Sequence, residues 1–463
     1  MDIVKAYDVR GVYNDSLTEK EAFLLGYYSM KFLHVEEFKV AHDLRLSHEQ
    51  LTKFFLRGVI QAGSRPIYLG ALSTPNFYYG LFDGVASGVV ITASHNGPEY
   101  NGFKFMHDLK SLDSRNGLND IGALVEEDAD HMGVLFNELK HDLLSMPLSS
   151  FLDEFSVEFE DVKESYLSYL KSVAHSLFTQ HEKELLSRRR FAYNFSSGMS
   201  SQIMVPLLES LEFNANLFLE TPDGNFPEYE PNPSNAQEYT YGHIEGVEGT
   251  FCYDGDGDRV MFFDEEQRLV LEDYFIGMYL NYFRKEGSSF VVDLRASKSL
   301  FELAKKHGFS LEKMKVGRAF YQDYMQKNEC IFGAELSGHL FFREFNYLDN
   351  PDLATLFALK IFAQKFLHNS SFRVSEEFQK YMHYYKLQDT NLRVSNCKES
   401  ISQIKEKYQK NLVSEQDGAS FNLDSTWFNV RASNTEPVLR LTIEGTSKIS
   451  CDQLLEELTY LLK

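Results

Sequence analysis

The chain has 463 residues, of which 43% are hydrophobic and 25% are charged, and its formal net charge is −22 at pH 7. This length predicts about three to four domains, and the composition is typical of a globular protein rather than a disordered one. The negative charge argues against nucleic-acid binding over a broad surface, because phosphates would be repelled. No apolar run approaches the roughly 20 residues of a membrane-spanning helix, so neither a nucleic acid nor a membrane is an expected partner.

The four cysteines stand at positions 252, 330, 397 and 451, far apart and without a CxxC pair. This spacing argues against a disulfide framework and against a zinc site. A reducing compartment, the cytoplasm, is therefore the expected location. The N-terminal residues MDIVKAYDVRGVYN agree with that location, because they carry charge early and lack the apolar segment of a secretory signal.

Short strand-like runs alternate with helix-like stretches through most of the chain, which predicts α/β layers. The predicted strands, in chain order, are FKVAHD, RPIYLG, GVVITAS, RRFAYNFS, TFCYD, SSFVVDLR, ECIFGAE, TNLRVS, STWFNVRAS and PVLRLTIEG. The predicted helices are HEQLTKFFLRGVIQAG, DVKESYLSYLKSVAHSLF, MVPLLESLEF, SLFELAKKHG, KESISQIKEKYQK and CDQLLEELTYLLK.

These elements predict four domains of the α/β class. The expected ranges are 1–148, 149–248 and 249–367 for three mixed α/β domains, and 368–463 for a small α+β domain with an antiparallel sheet. The polar stretch KHDLLSMPLSSFLDEF is expected to mark the first boundary.

The first motif that carries chemistry is TASHNGPEYNGFK, directly after the predicted strand GVVI. Small and hydroxyl residues at a strand end predict that Ser94 lies on a tight, exposed turn, with Gly97, Pro98 and Gly102 shaping the loop. Lys104 can neutralise a charge that Ser94 carries. A Ser-His dipeptide alone fits a polar turn equally well, and no aspartate at a recognisable spacing supports a hydrolase triad.

The second motif is Asp254-Gly-Asp256-Gly-Asp258-Arg259. Three carboxylates separated by glycines can fold round one hard cation, and the arginine supplies a donor fork of the size of a phosphate. An EF-hand loop needs glycine at its sixth position, where Arg259 stands, and helices where TFCY and VMFF predict strands. The remaining alternative is an acidic surface turn, but three clustered acids repel one another without a cation.

The third motif, GAELSGH, places Glu335, Ser337 and His339 on one side of an extended chain, because side chains alternate there. A carboxylate, a hydroxyl and an imidazole on one face suit hydrogen bonds to vicinal sugar hydroxyls, although a strand with one solvated face has the same pattern. The fourth motif can cradle a phosphate with side chains and loop N–H groups, or form a polar hairpin loop. Its residues are Arg431, Ser433, Asn434 and Thr435, with Arg440 after them.

With these motifs in this order, and with YDVRG, HDLRLS and PDGNFPEYEPNP, the chain resembles the α-D-phosphohexomutase superfamily, most closely its phosphomannomutase/phosphoglucomutase branch. The resemblance covers essentially the whole chain. It implies four domains around a central cleft, the first three related and the fourth a phosphate-binding domain. It implies an enzyme that moves a phosphoryl group between the 1- and 6-positions of mannose or glucose phosphates. The implied route runs through a phosphoserine and a hexose 1,6-bisphosphate.

The resemblance also implies the cofactors and the role of each motif residue. Ser94 would be the phosphorylated residue, and Mg²⁺ would bind Asp254, Asp256 and Asp258 together with a phosphoserine oxygen. Hexose 1,6-bisphosphate would act as activator, and the enzyme would be a monomer or weak dimer. The residues expected around the reacting groups are Arg10, His95, Lys104, Arg259 and His339. The residues expected to bind the rest of the hexose phosphate are Glu335, Ser337, Arg431, Ser433, Asn434, Thr435 and Arg440.

The chain departs from the family pattern in a few places. Arg318 follows Lys-Val-Gly where the family often has histidine. Arginine cannot act as a neutral general base, so Arg318 is expected to help hold phosphate and the general acid/base stays open. Gly97 displaces the usual proline, Gly257 replaces alanine, and Ala334 replaces glycine.

Three other functions share parts of this pattern. Phosphoglucosamine mutases typically have glutamine where this chain has Leu336, and their serine loop differs from PEYNGFK. A catalytically silent sugar-phosphate binding protein would not need Ser94 together with the three acids. A phosphatase that loses its phosphoserine to water would not need the sugar-contact motif.

Overall fold

A computed structural model of the protein describes residues 1–236, 239, 244–387, 390–432 and 438–462. Its residues group into two compact units. The first unit contains residues 1–270, 317–327 and 337–374, and the second contains 271–316, 328–336 and 375–463. Among the described residues, every helix is too short or too polar to span a lipid bilayer.

The first sheet lies near the N-terminus and brings two strand ends together. The strands are β1 (Val9–Val12), β2 (Glu37–His42), β3 (Arg65–Ala71), β4 (Gly88–Ile91), β5 (Tyr100–His107), β6 (Lys110–Ser111) and β7 (Glu158–Phe159). The helices are α1 (Glu19–Leu33), α2 (His48–Gln61), α3 (Thr74–Gly80), α4 (Leu118–Glu127), α5 (Ala129–Ser145) and α6 (Leu148–Glu154). The strand order is β1-β5-β4-β2-β3-β7, with β6 beside β5. Because β2 and β4 run parallel with His42 opposite Ile91, the loops that follow them start side by side.

The stretch KHDLLSMPLSSFLDEF, which is expected to mark the first domain boundary, is mostly helical. It contains the end of α5 and all of α6. Leu143 and Phe151 are buried in the same apolar cluster as the strands of the first sheet. Lys53 on α2 is also buried, and its ammonium donates hydrogen bonds to the carbonyls of Leu143, at 3.1 Å, and Met146. The apolar positions that pack here are widely spaced among charged residues, so the sequence looks polar although its buried face is not.

The second sheet contributes the loop with the three aspartates. The elements are α7 (Lys163–Leu177), α8 (Gln180–Leu186), β8 (Phe191–Asn194), α9 (Ser201–Ser210), β9 (Ala215–Phe218), a short 3₁₀ helix (Pro233–Asn235), β10 (Thr250–Tyr253) and β11 (Val260–Phe263). The strand order is β11-β10-β8-β9, with β8 and β10 parallel and β10 antiparallel to β11. The loop 254–259 therefore connects two adjacent strands.

Residues 271–379 alternate between the two units. The elements are α10 (Glu272–Phe283), β12 (Ser289–Asp293), α11 (Lys298–His307), β13 (Ser310–Met314), α12 (Arg318–Lys327), β14 (Phe332–Ala334), β15 (Leu340–Phe342), a 3₁₀ helix (Arg343–Phe345), β16 (Leu348–Asp349), α13 (Pro351–His368) and α14 (Val374–Gln379). Within the second unit, β12 pairs in parallel with both β13 and β14. Within the first unit, β15 pairs antiparallel with β16.

The C-terminal part of the second unit is an antiparallel sheet with helices, as predicted. The elements are β17 (Tyr385–Lys386), β18 (Thr390–Arg393), α15 (Cys397–Lys407), a 3₁₀ helix (Gln409–Asn411), β19 (Leu412–Ser414), β20 (Ala419–Asn422), β21 (Thr426–Ala432), β22 (Val438–Gly445) and α16 (Lys448–Leu461). The strand order is β22-β21-β20-β19, with β17 and β18 both beside β22. The strands and helices predicted from the sequence are confirmed to within a few residues, and so is the α/β class.

Candidate active site

Ser94 lies on the turn directly after β4, and its backbone has φ = +54°, in the left-handed region that few residues other than glycine adopt. Its hydroxyl lies 3.3 Å from His95 Nδ1 and donates to Asp254 Oδ2 at 3.2 Å. The predicted tight turn is confirmed, but the expected exposure is wrong, because Ser94 is only 1% exposed. The aspartate loop covers it so closely that a Cβ on Gly255 would lie 2.7 Å from the Ser94 carbonyl oxygen.

The three aspartates of the loop 254–259 form one buried cluster. Asp254, Asp256 and Asp258 are all 0% exposed, and each offers an oxygen that lies within 4.8 Å of the others. Lys104 Nζ lies 2.5 Å from Asp256 Oδ2 and 2.6 Å from Asp258 Oδ2. Asp256 Oδ1 is buried and has no hydrogen-bond partner among the described residues. A buried carboxylate oxygen without a donor, beside two further carboxylates, fits a hard cation such as Mg²⁺.

The pKa shifts of the cluster also favour a bound cation. Burial, together with the charges of Asp258 and Asp256, raises the pKa of Asp254 well above its usual range. Burial and Asp258 also oppose ionisation of Asp256, but Lys104 and a hydrogen bond from Thr74 hold its pKa below the usual value. Burial works against the Lys104 ammonium, yet Asp256 and Asp258 raise its pKa. Lys104, Arg259 and Arg318 all lie within 4 Å of these aspartates, yet the pKa of Asp254 stays raised. A bound divalent cation would therefore stabilise the ionised form of Asp254.

His95 is a neutral imidazole beside Ser94. Burial, together with the nearby charges of Arg259 and Arg10, lowers its pKa to about 2. The guanidinium of Arg10 donates to Asn96 Oδ1 at 2.6 Å and to Asp8 Oδ2 at 2.5 Å. Arg10 is thereby attached to the loop that carries Ser94, and it places a fixed positive charge near the serine.

Arg259 and His339 contact each other and the aspartates. Arg259 Nε lies 3.3 Å from His339 Nε2 and 3.7 Å from Asp254 Oδ2. His339 Nε2 lies 3.2 Å from Asp258 Oδ1, and its Nδ1 lies 2.9 Å from Ser337 Oγ. The structure therefore brings the imidazole of the third motif to the carboxylates of the second.

Arg318 pairs with carboxylates. Its Nη2 lies 3.2 Å from Asp258 Oδ2, its Nε lies 3.3 Å from Asp349 Oδ1, and its guanidinium lies 5.3 Å from the centre of the Tyr78 ring. Burial disfavours the charge, but Tyr78 and the two carboxylates raise its pKa. Arg318 therefore remains a cation that balances Asp258. Sequence reasoning missed Asp349, because an aspartate before Asn-Pro reads as part of a helix start.

Glu335 belongs to the second unit, where it follows β14. It is 5% exposed. The next peptide group is held by Asp293, whose Oδ2 accepts from the Leu336 N–H at 3.4 Å. Asp293 is in turn paired with Arg295 through both oxygens, at 2.9 and 2.6 Å. These contacts hold the chain directly after β14, where residues 336–337 form a turn. The extended chain predicted for the third motif is therefore wrong at this point, because the motif leaves the strand and turns.

Arg431 and Arg440 also belong to the second unit and stand directly opposite each other on β21 and β22. Side chains that oppose each other in an antiparallel pair share a face, and like charges there repel. Arg440 Nε is buried without a hydrogen-bond partner among the described residues. This pair is suited to an anion. Ser433, Asn434 and Thr435 lie outside the described residues.

Sequence models of four domains of one protein family match the chain in order. The alpha/beta/alpha domain I of the phosphoglucomutase/phosphomannomutase family matches residues 1–129, domain II matches 164–267, domain III matches 272–381, and the C-terminal domain matches 390–459. The prediction of three α/β domains followed by a different fourth is thereby confirmed.

Individual proteins match over the same length. The chain is 30% identical to a phosphomannomutase of Methanocaldococcus jannaschii, over 99% of this chain and 97% of that protein. It is 26% identical to a phosphomannomutase of Escherichia coli K12, over 96% and 95%. A solved phosphoglucomutase/phosphomannomutase family protein from Burkholderia thailandensis superposes with a TM-score of 0.80 at 22% identity, covering 100% of this chain and 97% of the other. The resemblance inferred from the motifs thus holds over the whole chain.

Proposed function

Because the chain belongs to the phosphoglucomutase/phosphomannomutase family, we propose that it interconverts the 1- and 6-phosphates of glucose and mannose through a phosphoserine at Ser94. The protein is an enzyme, a hexose-phosphate mutase of the isomerase class. The observation that carries the proposal is the hydroxyl of Ser94, 3.2 Å from Asp254 in the buried aspartate cluster. Its direct test is the appearance of a phosphoryl group on Ser94, by mass spectrometry, after incubation with glucose 1,6-bisphosphate.

The proposed reaction consists of two phosphoryl transfers. In the first, the bond between phosphorus and Ser94 Oγ breaks, and a new bond forms to the free hydroxyl oxygen of the hexose monophosphate, which loses its proton. Ser94 Oγ takes up a proton as it is released, and the resulting bisphosphate turns round. In the second transfer Ser94 Oγ loses that proton and bonds to the other phosphorus, whose bond to the sugar breaks, and the sugar oxygen released there takes up a proton. Phosphoryl transfer depends mainly on in-line positioning and charge neutralisation.

The cations near Ser94 supply part of that neutralisation. Arg10, Lys104 and Arg259 would surround the phosphoryl group in transfer, and their pairing with carboxylates holds them in place before substrate binds. Magnesium bound by Asp254, Asp256 and Asp258 would add a divalent charge that stabilises the phosphoserine oxygens.

We assign the sugar-hydroxyl proton to His339. Arg318 cannot accept it, because a guanidinium stays protonated. The pKa of His95 is lowered to about 2, so His95 is a poor base. His339 is held through Ser337 at 2.9 Å, which leaves it as the imidazole suited to this role.

Arg431 and Arg440 are proposed to bind the phosphate that is not being transferred. Arg431→Ala removes a charged donor from this pair, so we expect KM to rise for both glucose 1-phosphate and mannose 1-phosphate. The expected loss in kcat/KM corresponds to about 2–4 kcal/mol, the scale of a buried charged hydrogen bond. Arg393→Ala is the matched control, because Arg393 is an exposed arginine on β18 of the same sheet. An unchanged KM for Arg431→Ala would mean that the loop is only a hairpin.

Glu335 and Ser337 are proposed to contact the sugar hydroxyls at C3 and C4, which glucose and mannose share. The two epimers differ only at C2, so we expect their kcat/KM values to agree within about tenfold, or about 1.4 kcal/mol. Galactose 1-phosphate is inverted at C4 and should be at least about 100-fold poorer, because a buried polar group would lose its partner. Glu335→Gln should reduce the difference in kcat/KM between glucose 1-phosphate and galactose 1-phosphate. Equal rates for galactose and glucose would contradict the sugar-contact role.

A further inference from the structure

The loop that carries Ser94 is held from behind by a single arginine that the mechanism does not use. Arg45 follows β2, as part of HDLRLS, and its side chain is 0% exposed. Its Nη2 donates to the carbonyl oxygens of Ser94, at 2.7 Å, and Asn96, at 2.8 Å. Its Nη1 donates to the carbonyl oxygens of Gly97, at 2.6 Å, and Tyr100, at 3.0 Å. Four carbonyls of one loop thus converge on one guanidinium.

The fifth donor of Arg45 connects this guanidinium to the other end of the turn. Arg45 Nε donates to Asp43 Oδ2 at 3.0 Å, and the same oxygen accepts the hydroxyl of Thr92 at 2.6 Å. Thr92 Oγ1 in turn accepts the backbone N–H of Ser94 at 2.9 Å. The N–H and the carbonyl of Ser94 are therefore both fixed by one network, which spans the residue whose φ is +54°.

The motif PDGNFPEYEPNP, which has no assigned role, packs against this network. The ring of Phe226, in PDGNFPEYEPNP, lies 5.2 Å from the Arg45 guanidinium carbon. Gly224 approaches so closely that a Cβ there would lie 2.1 Å from the Leu44 carbonyl oxygen. Farther along the segment, the carbonyl of Pro231 accepts the Gly255 N–H at 3.1 Å. The segment therefore packs against both the arginine and the aspartate loop.

We infer that Arg45 is a positioning residue for phosphoryl transfer, which sets the direction of Ser94 Oγ by holding the backbone on both sides of it. The inference rests on the proposed role of Ser94. All five N–H donors of Arg45 are in use, and only arginine offers five donors in a planar fork. A lysine keeps the positive charge but has three donors on one atom, so it cannot hold four carbonyls and a carboxylate together. The charge alone is not what the loop requires.

Arg45→Lys in the full-length enzyme tests this inference. Each variant is phosphorylated with glucose 1,6-bisphosphate, and formation of glucose 6-phosphate is followed with phosphorylated enzyme in excess over glucose 1-phosphate. A displaced reacting atom slows the chemical step, so the single-turnover rate constant should fall about 100-fold. Partial unfolding would lower the amplitude instead, because it removes enzyme molecules without slowing the rest.

The matched control is Lys53→Met. Lys53 is another buried cation near the first sheet that donates to backbone carbonyls, those of Leu143 and Met146, and it does not touch the Ser94 loop. We expect its rate constant to match the wild type although its thermal stability falls.

If Arg45→Lys does not fold, Thr92→Val tests the same network, because it removes the hydroxyl while keeping the volume. Its rate constant should fall about tenfold, the effect of one hydrogen bond.

Two results would overturn the inference. One is a rate constant within about twofold of wild type for Arg45→Lys, or for Thr92→Val if the lysine variant does not fold. The other is an equal loss of rate constant in Lys53→Met, which would mean that any buried cation in this part of the fold has the effect.

Ser94→Ala separates this inference from the proposed function. Turnover by Ser94→Ala would overturn the phosphoserine itself, whereas an inactive Ser94→Ala with a fully active Arg45→Lys overturns only the role of Arg45.

Discussion

Replacing Ser94 with alanine is expected to lower mutase turnover by about 10⁴-fold or more, because no other group would accept the phosphoryl group from the bisphosphate. The fold should persist, since a serine-to-alanine change seldom costs much stability. The measurement is kcat for glucose 1-phosphate in the presence of glucose 1,6-bisphosphate. Mass spectrometry of the same samples should find a phosphoryl group on the wild type and none on the variant.

Ser87→Ala is the matched control for this change. Ser87 is 4% exposed and directly precedes β4, whereas Ser94 follows the same strand. Its hydroxyl lies 3.0 Å from His107 Nδ1 and accepts the backbone N–H of Asp108 at 3.3 Å, so these two partners lie outside the loop 254–259. Ser87→Ala should therefore keep turnover and phosphorylation. Turnover by Ser94→Ala near that of the wild type would contradict the phosphoserine mechanism.

Removing divalent cations is expected to abolish activity, and magnesium should restore it. Without a divalent cation, the phosphoryl group on Ser94 would lie beside the carboxylates of Asp254, Asp256 and Asp258 and would lose the charge that stabilises its oxygens. Asp256→Asn removes one charge from the proposed ligand set, so it should raise the magnesium concentration needed for half-maximal activity. The measurement is a magnesium titration of kcat after treatment with a chelator.

Asp264→Asn is the control for the metal titration. Asp264 follows β11, is 5% exposed and pairs with Arg268 at 2.9 Å, outside the cluster. Its replacement should leave the magnesium requirement unchanged. Full activity in excess chelator would rule out the metal site, and an identical shift in both variants would show that the effect is not specific to Asp256.

Much of this arrangement could be predicted from the sequence. The apolar runs before Ser94 and before Asp254 are strands, and functional residues of α/β domains often follow strand ends. Glycines between the acids of residues 254–258 predict a tight loop rather than a strand, which the structure confirms. These inferences depend on residues close together in the sequence, for which local pattern is sufficient.

Features that depend on distant residues could not be predicted in this way. A turn with small polar residues reads as exposed, yet Ser94 is buried because Gly255, far along the chain, lies against its carbonyl. Arg318 reads as a free phosphate ligand, yet it is paired with Asp258 and Asp349. In each case a contact between distant segments determines the environment, and the sequence pattern around the residue does not contain it.

The near-complete burial of Ser94 should affect how long the phosphoserine survives between turnovers. A phosphoserine ester is hydrolysed when a water molecule attacks phosphorus opposite the bond that breaks, and the aspartate loop packed against Ser94 limits the directions from which water can approach. An idle enzyme molecule should therefore retain its phosphoryl group for far longer than one turnover. Occasional contact with a bisphosphate is then enough to keep the whole population primed. Phosphate should remain on the protein through prolonged dialysis and leave only when a sugar phosphate is added.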